Sequence, residues 1–284
     1  HRIRSGRPGA RGSMSAVVTG LAGIGLTRAL TGLGRRLPEA ARAPWARRNH
    51  AGEPVTLLEG PVVVLAAAAT ATTGARDAGT ALVVLAPGLL GGLDDLVGDG
   101  TTKGLHGHLG ALRRGRVTTG ALKILGLGAT AVLAAHLETR GSTRQGVGQS
   151  VAGTAVDAVV VAGTANLVNL LDLRPGRALK VTTTAGALLS VPRSARPLGV
   201  TLVGVGLGAL PEDLAGETML GDCGANALGA LVGLAFVRGL GPRGRLAVAG
   251  VVTGLTLLSE RVSFTRVIES TPVLRELDAW GRPR

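Results

Sequence analysis

Aromatic and sulfur-containing side chains are nearly missing from this chain. Its 284 residues include no tyrosine, two phenylalanines, two tryptophans and one cysteine, Cys223. A single cysteine excludes a disulfide framework within the chain. Because tyrosine is absent and tryptophan is scarce, the chain also lacks the full aromatic belt that many membrane proteins carry at the lipid interface.

Lysine is scarce as well, although the chain is strongly basic. Only three of the 31 basic residues are lysine, and the formal net charge is +13. A charge of this size can indicate nucleic-acid binding. Here the arginines lie mainly in short segments between apolar blocks, where they would set membrane topology and face anionic headgroups. We therefore expect no nucleic-acid partner.

Apolar sequence is abundant and comes in blocks. Hydrophobic residues make up 45% of the chain, and the mean hydropathy is +0.36. Blocks of roughly 15–20 residues alternate with short charged segments, a pattern typical of polytopic membrane proteins. Backbone groups in lipid must be paired internally, so each block is predicted to be a helix. The predicted fold is all-α, a polytopic integral membrane protein with about nine transmembrane helices and catalytic cytoplasmic loops. The predicted spans are residues 14–33, 55–73, 78–95, 117–137, 151–171, 178–191, 198–210, 219–238 and 244–260.

The two ends of the chain are more polar than its centre. Residues 1–13 are rich in arginine and are predicted to be a disordered leader, with Met14 as a candidate start. Residues 14–284 are predicted to form a single membrane domain. The segment from Ser259 to Arg284 is too polar to span a bilayer.

Carboxylates at the ends of apolar blocks are the most unusual feature. The run from Ala78 to Leu93 carries no charge, and the adjacent pair Asp94 and Asp95 follows it directly. Asp172 follows the fifth block, and Asp222 opens the eighth. The distribution of arginine among the loops orients the blocks so that all these carboxylates lie on the cytoplasmic face.

Such a cluster of acids beside basic side chains suits phosphate chemistry. One Asp at a helix end is more often a solvated cap or an interface anchor, but two adjacent carboxylates repel each other unless a cation binds them. Carboxylates hold Mg²⁺, and Mg²⁺ with basic side chains neutralises a diphosphate. Asn169 and Asp172 share a helix face, and Gly221 beside Asp222 permits a ligand to approach the backbone closely.

Three of these segments, in order along the chain, resemble motifs of a known family. They resemble the polyprenyl-phosphate N-acetylhexosamine-1-phosphate transferase superfamily, which includes phospho-N-acetylmuramoyl-pentapeptide transferase. The likeness covers nearly the whole chain, from about Met14 to Arg284. The three motifs are Leu93-Asp94-Asp95, the run from Asn166 to Asp172 and the run from Met219 to Gly229. The loop from Arg48 to Thr56 and Lys123 in the fourth block also match the family pattern.

The resemblance implies a reaction and a set of site residues. A polyprenyl phosphate would attack the β-phosphate of a UDP-amino sugar in the plasma membrane, releasing UMP during cell-envelope glycan synthesis such as that of peptidoglycan. It implies UDP-sugar and lipid-phosphate partners, and leaves a homodimer open. By matched position the catalytic residues would be Asp94, Asp95 and Asp172. Mg²⁺ or Mn²⁺ would be held by Asn169, Asp172 and Asp222. Substrate would be bound by Lys123, Asn166, Asn169, Arg48, Arg174 and Arg177.

The chain also departs from the family pattern, as a divergent branch would. Asp172 is followed by Leu173 and Arg174 where the family carries a second Asp. The loop from Ser259 to Glu269 lacks the histidine cluster of the family. Two alternatives therefore stay open. One is a non-catalytic or regulatory paralogue that binds lipid-linked precursors or nucleotide-sugars. The other is a transporter, since Lys123 and Asp157 fall inside apolar blocks.

Overall fold

The computed structural model describes residues 8–49, 52–75, 77–97, 126–136 and 151–283, and it is mostly helical. A two-stranded antiparallel hairpin precedes the third helix, and a 3-10 turn at Ala43–Trp45 leads into it. The strands are β1 (Ala46–Arg48) and β2 (Pro54–Thr56). The helices are α1 (Pro8–Arg35), α2 (Glu39–Arg42), α3 (Glu59–Ala75), α4 (Ala78–Val97), α5 (Gly126–His136), α6 (Val151–Leu171), α7 (Arg177–Leu189), α8 (Arg196–Leu214), α9 (Gly221–Gly239), α10 (Pro242–Ser259), α11 (Phe264–Ser270) and α12 (Pro272–Ala279).

Each of the nine predicted blocks overlaps one helix of the described residues, and the fourth block, 117–137, is described only from 126 to 136. The agreement is closest for α6, whose bounds match the prediction. Most other boundaries differ by a few residues, and two of the differences change an assignment. Val55 and Thr56, predicted to open the second span, lie in strand β2, and α3 begins only at Glu59. Helix α1 begins at Pro8, so part of the segment predicted as a disordered leader is helical.

The predicted count of nine spans is not supported. Within the described residues three helices are long and apolar enough to cross a membrane, and they lie in α1, α4 and α6. A fourth span results if α10 and α11, which are bent by 93° at their junction, are counted together. The sequence count was too high for two reasons. Some helices counted as spans are too short, and others, such as the 19-residue α9, are long enough but not apolar enough. Helix α7, for example, has 13 residues, or about 20 Å of rise, against a hydrocarbon core of about 30 Å.

Helix α9 lies at the centre of the bundle. It packs against α3, α4, α6, α7 and α8, and nearly all its side chains are buried. Glycines allow its neighbours to approach closely, as small residues do in membrane bundles. A Cβ atom at Gly229 would lie 2.6 Å from the Ala165 Cα of α6, and one at Gly233 would lie 2.6 Å from the Val161 Cα. These contacts set α6 antiparallel to α9, so the end of α6 meets the start of α9.

An ion pair joins α6 to α10 at the other end of the bundle. Both oxygens of the buried Asp157 accept from Arg245 Nη1, at 2.9 and 2.7 Å. Near the opposite end of the same helices, Asn166 Nδ2 donates to Thr256 Oγ1 at 3.3 Å. Asp157 therefore has a structural partner within the bundle, and the transporter alternative that its position in the sequence suggested stays a prediction.

Substitution of Gly229 tests the close packing of α6 on α9. Gly229→Ala places a methyl group against the Ala165 backbone, which cannot move without shifting the helix. We expect the free energy of unfolding to fall by about 1–3 kcal/mol, measured as a lower thermal midpoint of the purified protein in detergent. Gly25→Ala is the matched control, since a Cβ there meets nothing within 4 Å. Equal midpoints for the two variants would contradict this packing.

Candidate functional site

Two carboxylates from other helices cover the N-terminus of α9. The backbone N–H groups of Asp222 and Cys223 donate to Asp95 Oδ1 and Oδ2 at 3.0 and 2.9 Å. The N–H of Gly221 hydrogen-bonds to the carboxylate of Asp172. Helix N-termini leave such N–H groups without partners and carry partial positive charge. Asp95 from α4 and Asp172 from the end of α6 therefore cap α9 from outside it.

Gly221 makes this close approach possible. Its φ of +60° is a left-handed conformation that favours glycine. A Cβ atom there would lie 2.8 Å from Asp95 Oδ2. A larger residue would thus be strained in its backbone and would push the Asp95 carboxylate away from α9.

Asp172 is the most perturbed of the predicted site residues. It is 5% exposed, and its Oδ2 atom has no hydrogen-bond partner. Burial raises the pKa of Asp172 well above its usual range, and the charge of Asp213 raises it further. The Gly221 N–H opposes this shift, while the carboxylates of Asp222 and Asp95 add to it. The structure therefore brings Asp95, Asp172 and Asp222 together, although 127 residues separate Asp95 from Asp222.

The remaining predicted residues lie at varied distances from this cluster. Asp94 is half-buried beside Asp95, and the Asn169 carbonyl accepts from the Asp172 N–H at 3.2 Å. Asn166 contacts α10 through Thr256. Lys123 lies outside the described residues.

The basic residues of the structure differ from those of the prediction. Arg48 turns away and donates to the Gly52 carbonyl at 2.6 Å within the hairpin. Its neighbour Arg47 donates instead to the Asp95 carbonyl, and to the carbonyls of Pro44 and Ala46. Arg47 therefore lies at the site, and no sequence pattern distinguishes it from the adjacent Arg48 in the same loop.

The C-terminal segment holds the two other predicted arginines. Arg177, whose side chain is 4% exposed, donates from Nε and Nη2 to the two oxygens of Asp278 at 2.6 and 3.0 Å. Arg174 pairs with Glu269 on α11. Both arginines thus bind carboxylates of this chain, and their assignment to substrate stays a prediction.

A second group of buried acids lies near Asp172 and was not predicted. Glu59 and Asp213 are 6% and 1% exposed, and each has one oxygen without a partner. Thr218 donates to Glu59, and the Gly176 N–H donates to Asp213 Oδ1 at 3.1 Å. Both acids interact electrostatically with Asp172. An acid opening an apolar helix, as Glu59 does, is the signal that could have identified one of them.

Burial of Asp213 has a measurable consequence for its protonation. Burial raises the pKa of Asp213 to about 7, even though the Gly176 hydrogen bond and the charges of Arg282 and Lys180 oppose this shift. Asn226, one turn after Asp222 on α9, is fully buried and both atoms of its amide lack partners. The end of the bundle at the start of α9, which we call the site end, therefore contains several buried polar atoms that lack hydrogen-bond partners.

A cavity of about 250 Å³ adjoins the second acidic group. It lies between the end of α1, the hairpin and the start of α3, and Glu59 and Thr218 form part of its wall. Leu58, Val62 and Ala209 contribute apolar surface, and Arg35 and Arg42 lie at its edge. The cavity could therefore hold a small molecule close to the acids.

The predicted metal ligands are of the type that Mg²⁺ prefers, but few of them lie together. In the described part of the chain no three His, Cys, Asp or Glu side chains form a group that could hold a metal ion. Magnesium, however, is usually held by one or two carboxylates together with waters and substrate phosphates. Asp172, with its unpartnered Oδ2 atom, and Asp222 supply two carboxylates of this kind.

Comparison with known proteins assigns no family. No family model matches the chain, and no curated protein is similar enough to count as a match.

The pKa of Asp213 predicts how stability depends on pH. Its folded pKa of about 7 lies above the ordinary 3.8, so the unfolded state loses its proton first and folding becomes less favourable as pH rises from about 4 to about 7. Asp213→Asn keeps the acceptor for Gly176 and removes the titration. We expect this variant to raise the thermal midpoint, and to raise it more at pH 8 than at pH 5.

The control is Glu217→Gln, which removes the same charge at a side chain that is 60% exposed and pairs with Arg35. Its midpoint should differ little from that of the unmodified protein at either pH. An Asp213→Asn effect of the same size at pH 5 and pH 8 would show that Asp213 does not titrate in this range.

Proposed function

We propose that the chain is an integral membrane transferase that moves a sugar-1-phosphate from a UDP-N-acetylhexosamine to a polyprenyl phosphate. The observation that carries this proposal is the convergence of Asp95, Asp172 and Asp222 from three separate helices at the start of α9. These are the positions that the resemblance to the transferase superfamily assigns to phosphate chemistry. The proposal places the site at the cytoplasmic face of the plasma membrane.

The charge of the site favours a cationic or metal-bound ligand. The N–H groups at the start of α9, which could otherwise bind a phosphate directly, already donate to Asp95 and Asp172. Several carboxylates then face each other with Arg47 alongside. A free diphosphate would be repelled by this arrangement, whereas a diphosphate carrying Mg²⁺ would be attracted.

The proposed reaction forms one P–O bond and breaks one. An oxygen of the polyprenyl phosphate attacks the β-phosphorus of the UDP-sugar, and the bond from that phosphorus to the bridging oxygen of UMP breaks. Mg²⁺ would neutralise the diphosphate and the charge that develops on the leaving UMP. Asp172 and Asp222 would hold the ion. Asp94 or Asp95 would orient the lipid phosphate and accept its proton, and Arg47 would be close enough to Asp95 to contact that phosphate.

A second candidate function is binding without turnover. Arg174 and Arg177, the predicted phosphate ligands that stand in place of the missing second Asp, are held by Glu269 and Asp278. A chain whose phosphate-binding arginines are engaged internally would suit a regulatory protein that binds lipid-linked precursors or nucleotide-sugars.

The transferase is tested by release of UMP. Protein reconstituted with polyprenyl phosphate, Mg²⁺ and a panel of UDP-N-acetylhexosamines should release UMP from at least one of them. Asp172→Asn and Asp222→Asn should lower the rate by about 100-fold or more, since each replaces a carboxylate ligand proposed to hold Mg²⁺ at the diphosphate. Asp77→Asn is the control, because Asp77 pairs with Arg238 near the opposite end of α9.

The other outcomes separate the candidates. Saturable UDP-sugar binding without UMP release would support the regulatory function. Release that persists in both site variants, with folded protein verified by its thermal midpoint, would show that the carboxylates at α9 are not the reactive site.

A further inference from the structure

Helix α12 presents apolar side chains away from the protein. Val273 and Leu277 are 67% and 60% exposed, and Trp280, which ends the helix, is 74% exposed. Residues spaced in this way share one face of a helix. With Leu274 they form an exposed apolar surface on a short helix, which we call the α12 face.

The polar side of the same helix is fixed to the bundle. Asp278 accepts two hydrogen bonds from Arg177 and pairs with Arg282 at 3.0 Å. Lys180 Nζ donates to the carbonyl oxygens of Leu277, Asp278 and Trp280 at 3.0, 2.5 and 3.2 Å. These contacts hold the end of α12 against the first turn of α7. The α12 face is therefore held outward by a well-defined set of bonds.

The path of the chain places α12 at the level where a membrane span ends. Helix α10 exposes Leu246, Val251 and Leu257 along its length, as a lipid-facing helix does. At its end the chain turns by 93° into α11. Counted together, α10 and α11 form the bent fourth candidate span, and α12 begins two residues after α11 ends. The apolar surface of α10 and the α12 face thus belong to one continuous segment.

Charge favours a lipid surface as the partner of this segment. The segment carries exposed Arg261, Arg266 and Arg275 together with exposed Glu260, Glu269 and Glu276. Glu269 pairs with Arg174 of the bundle, so the remaining exposed charges of the segment are more basic than acidic. A helix with one apolar face, basic residues and a tryptophan is the kind that lies in the membrane interface.

We propose that α12 lies in the interfacial layer of the bilayer at the site end of the bundle, with the α12 face buried among the acyl chains next to the headgroups. Since Arg177 and Lys180 join α12 to α7, the helix would hold the acidic site at headgroup depth. The proposal concerns a lipid contact and does not depend on the proposed transferase reaction.

Tryptophan fluorescence tests the proposal directly. The chain has two tryptophans, so Trp45→Phe leaves Trp280 as the only emitter. The variant is reconstituted in bilayers with and without lipids brominated near the headgroup. We expect emission that is blue-shifted from that of tryptophan in water, and a loss of intensity in the brominated bilayers.

Two further substitutions in this background separate lipid contact from other causes. Leu277→Glu places a charge on the α12 face and should shift the emission to the red and reduce the quenching. Ala279→Glu, which places the same charge at an exposed position on the other side of the helix, should leave both signals unchanged. Red-shifted, unquenched emission in the Trp45→Phe protein would place the face in water and overturn the proposal. Blue-shifted emission without quenching would also overturn it, since the face would then be covered by protein, such as a second copy.

Discussion

The fold depends on the hydrogen bonds that two carboxylates accept at the start of α9. Asp95 and Asp172 take up the N–H groups of three consecutive residues from Gly221 to Cys223. Buried N–H groups without partners are costly, and α9 is too deeply buried for water to satisfy them all. The same bonds that complete the central helix therefore gather acids from α4 and α6 at one place. In this protein the requirement to cap a helix and the composition of the candidate site cannot be separated.

Much of the helical architecture could be predicted from the sequence, because hydrophobic blocks report directly on helices. The number of spans could not, since a Gly-rich block such as that of α9 has the same pattern whether it faces lipid or other helices. The end of α6 and the start of α9 were placed on one face by arginine distribution alone. Their meeting at Asp172 and Gly221 required the antiparallel packing through Gly229 and Gly233, which no local pattern encodes.

The parts of the site that the sequence did not identify share a physical reason. Glu59 and Asp213 belong to segments that look like ordinary polar helix ends, and only tertiary packing buries them. Arg177 looked like a cation available for phosphate, but Asp278, which is 101 residues away, occupies it. Long-range ion pairs of this kind change the chemistry of a residue without leaving any trace in its neighbours. The order of the motifs therefore predicted the positions of the acids that cap α9. It did not predict the ion-pair partners of the arginines.

The ion pair between Asp157 and Arg245 also bears on how the protein is made. Asp157 enters the bundle with α6, whereas Arg245 follows 88 residues later on α10. During synthesis from the N-terminus, α6 must accommodate a carboxylate in its apolar stretch before that partner exists. Neutralisation by a proton or shielding by the insertion machinery would be needed in the interval, because an unpaired charge is expensive in lipid. Insertion of α10 then supplies the partner of Asp157, so a later helix governs the final placement of an earlier one.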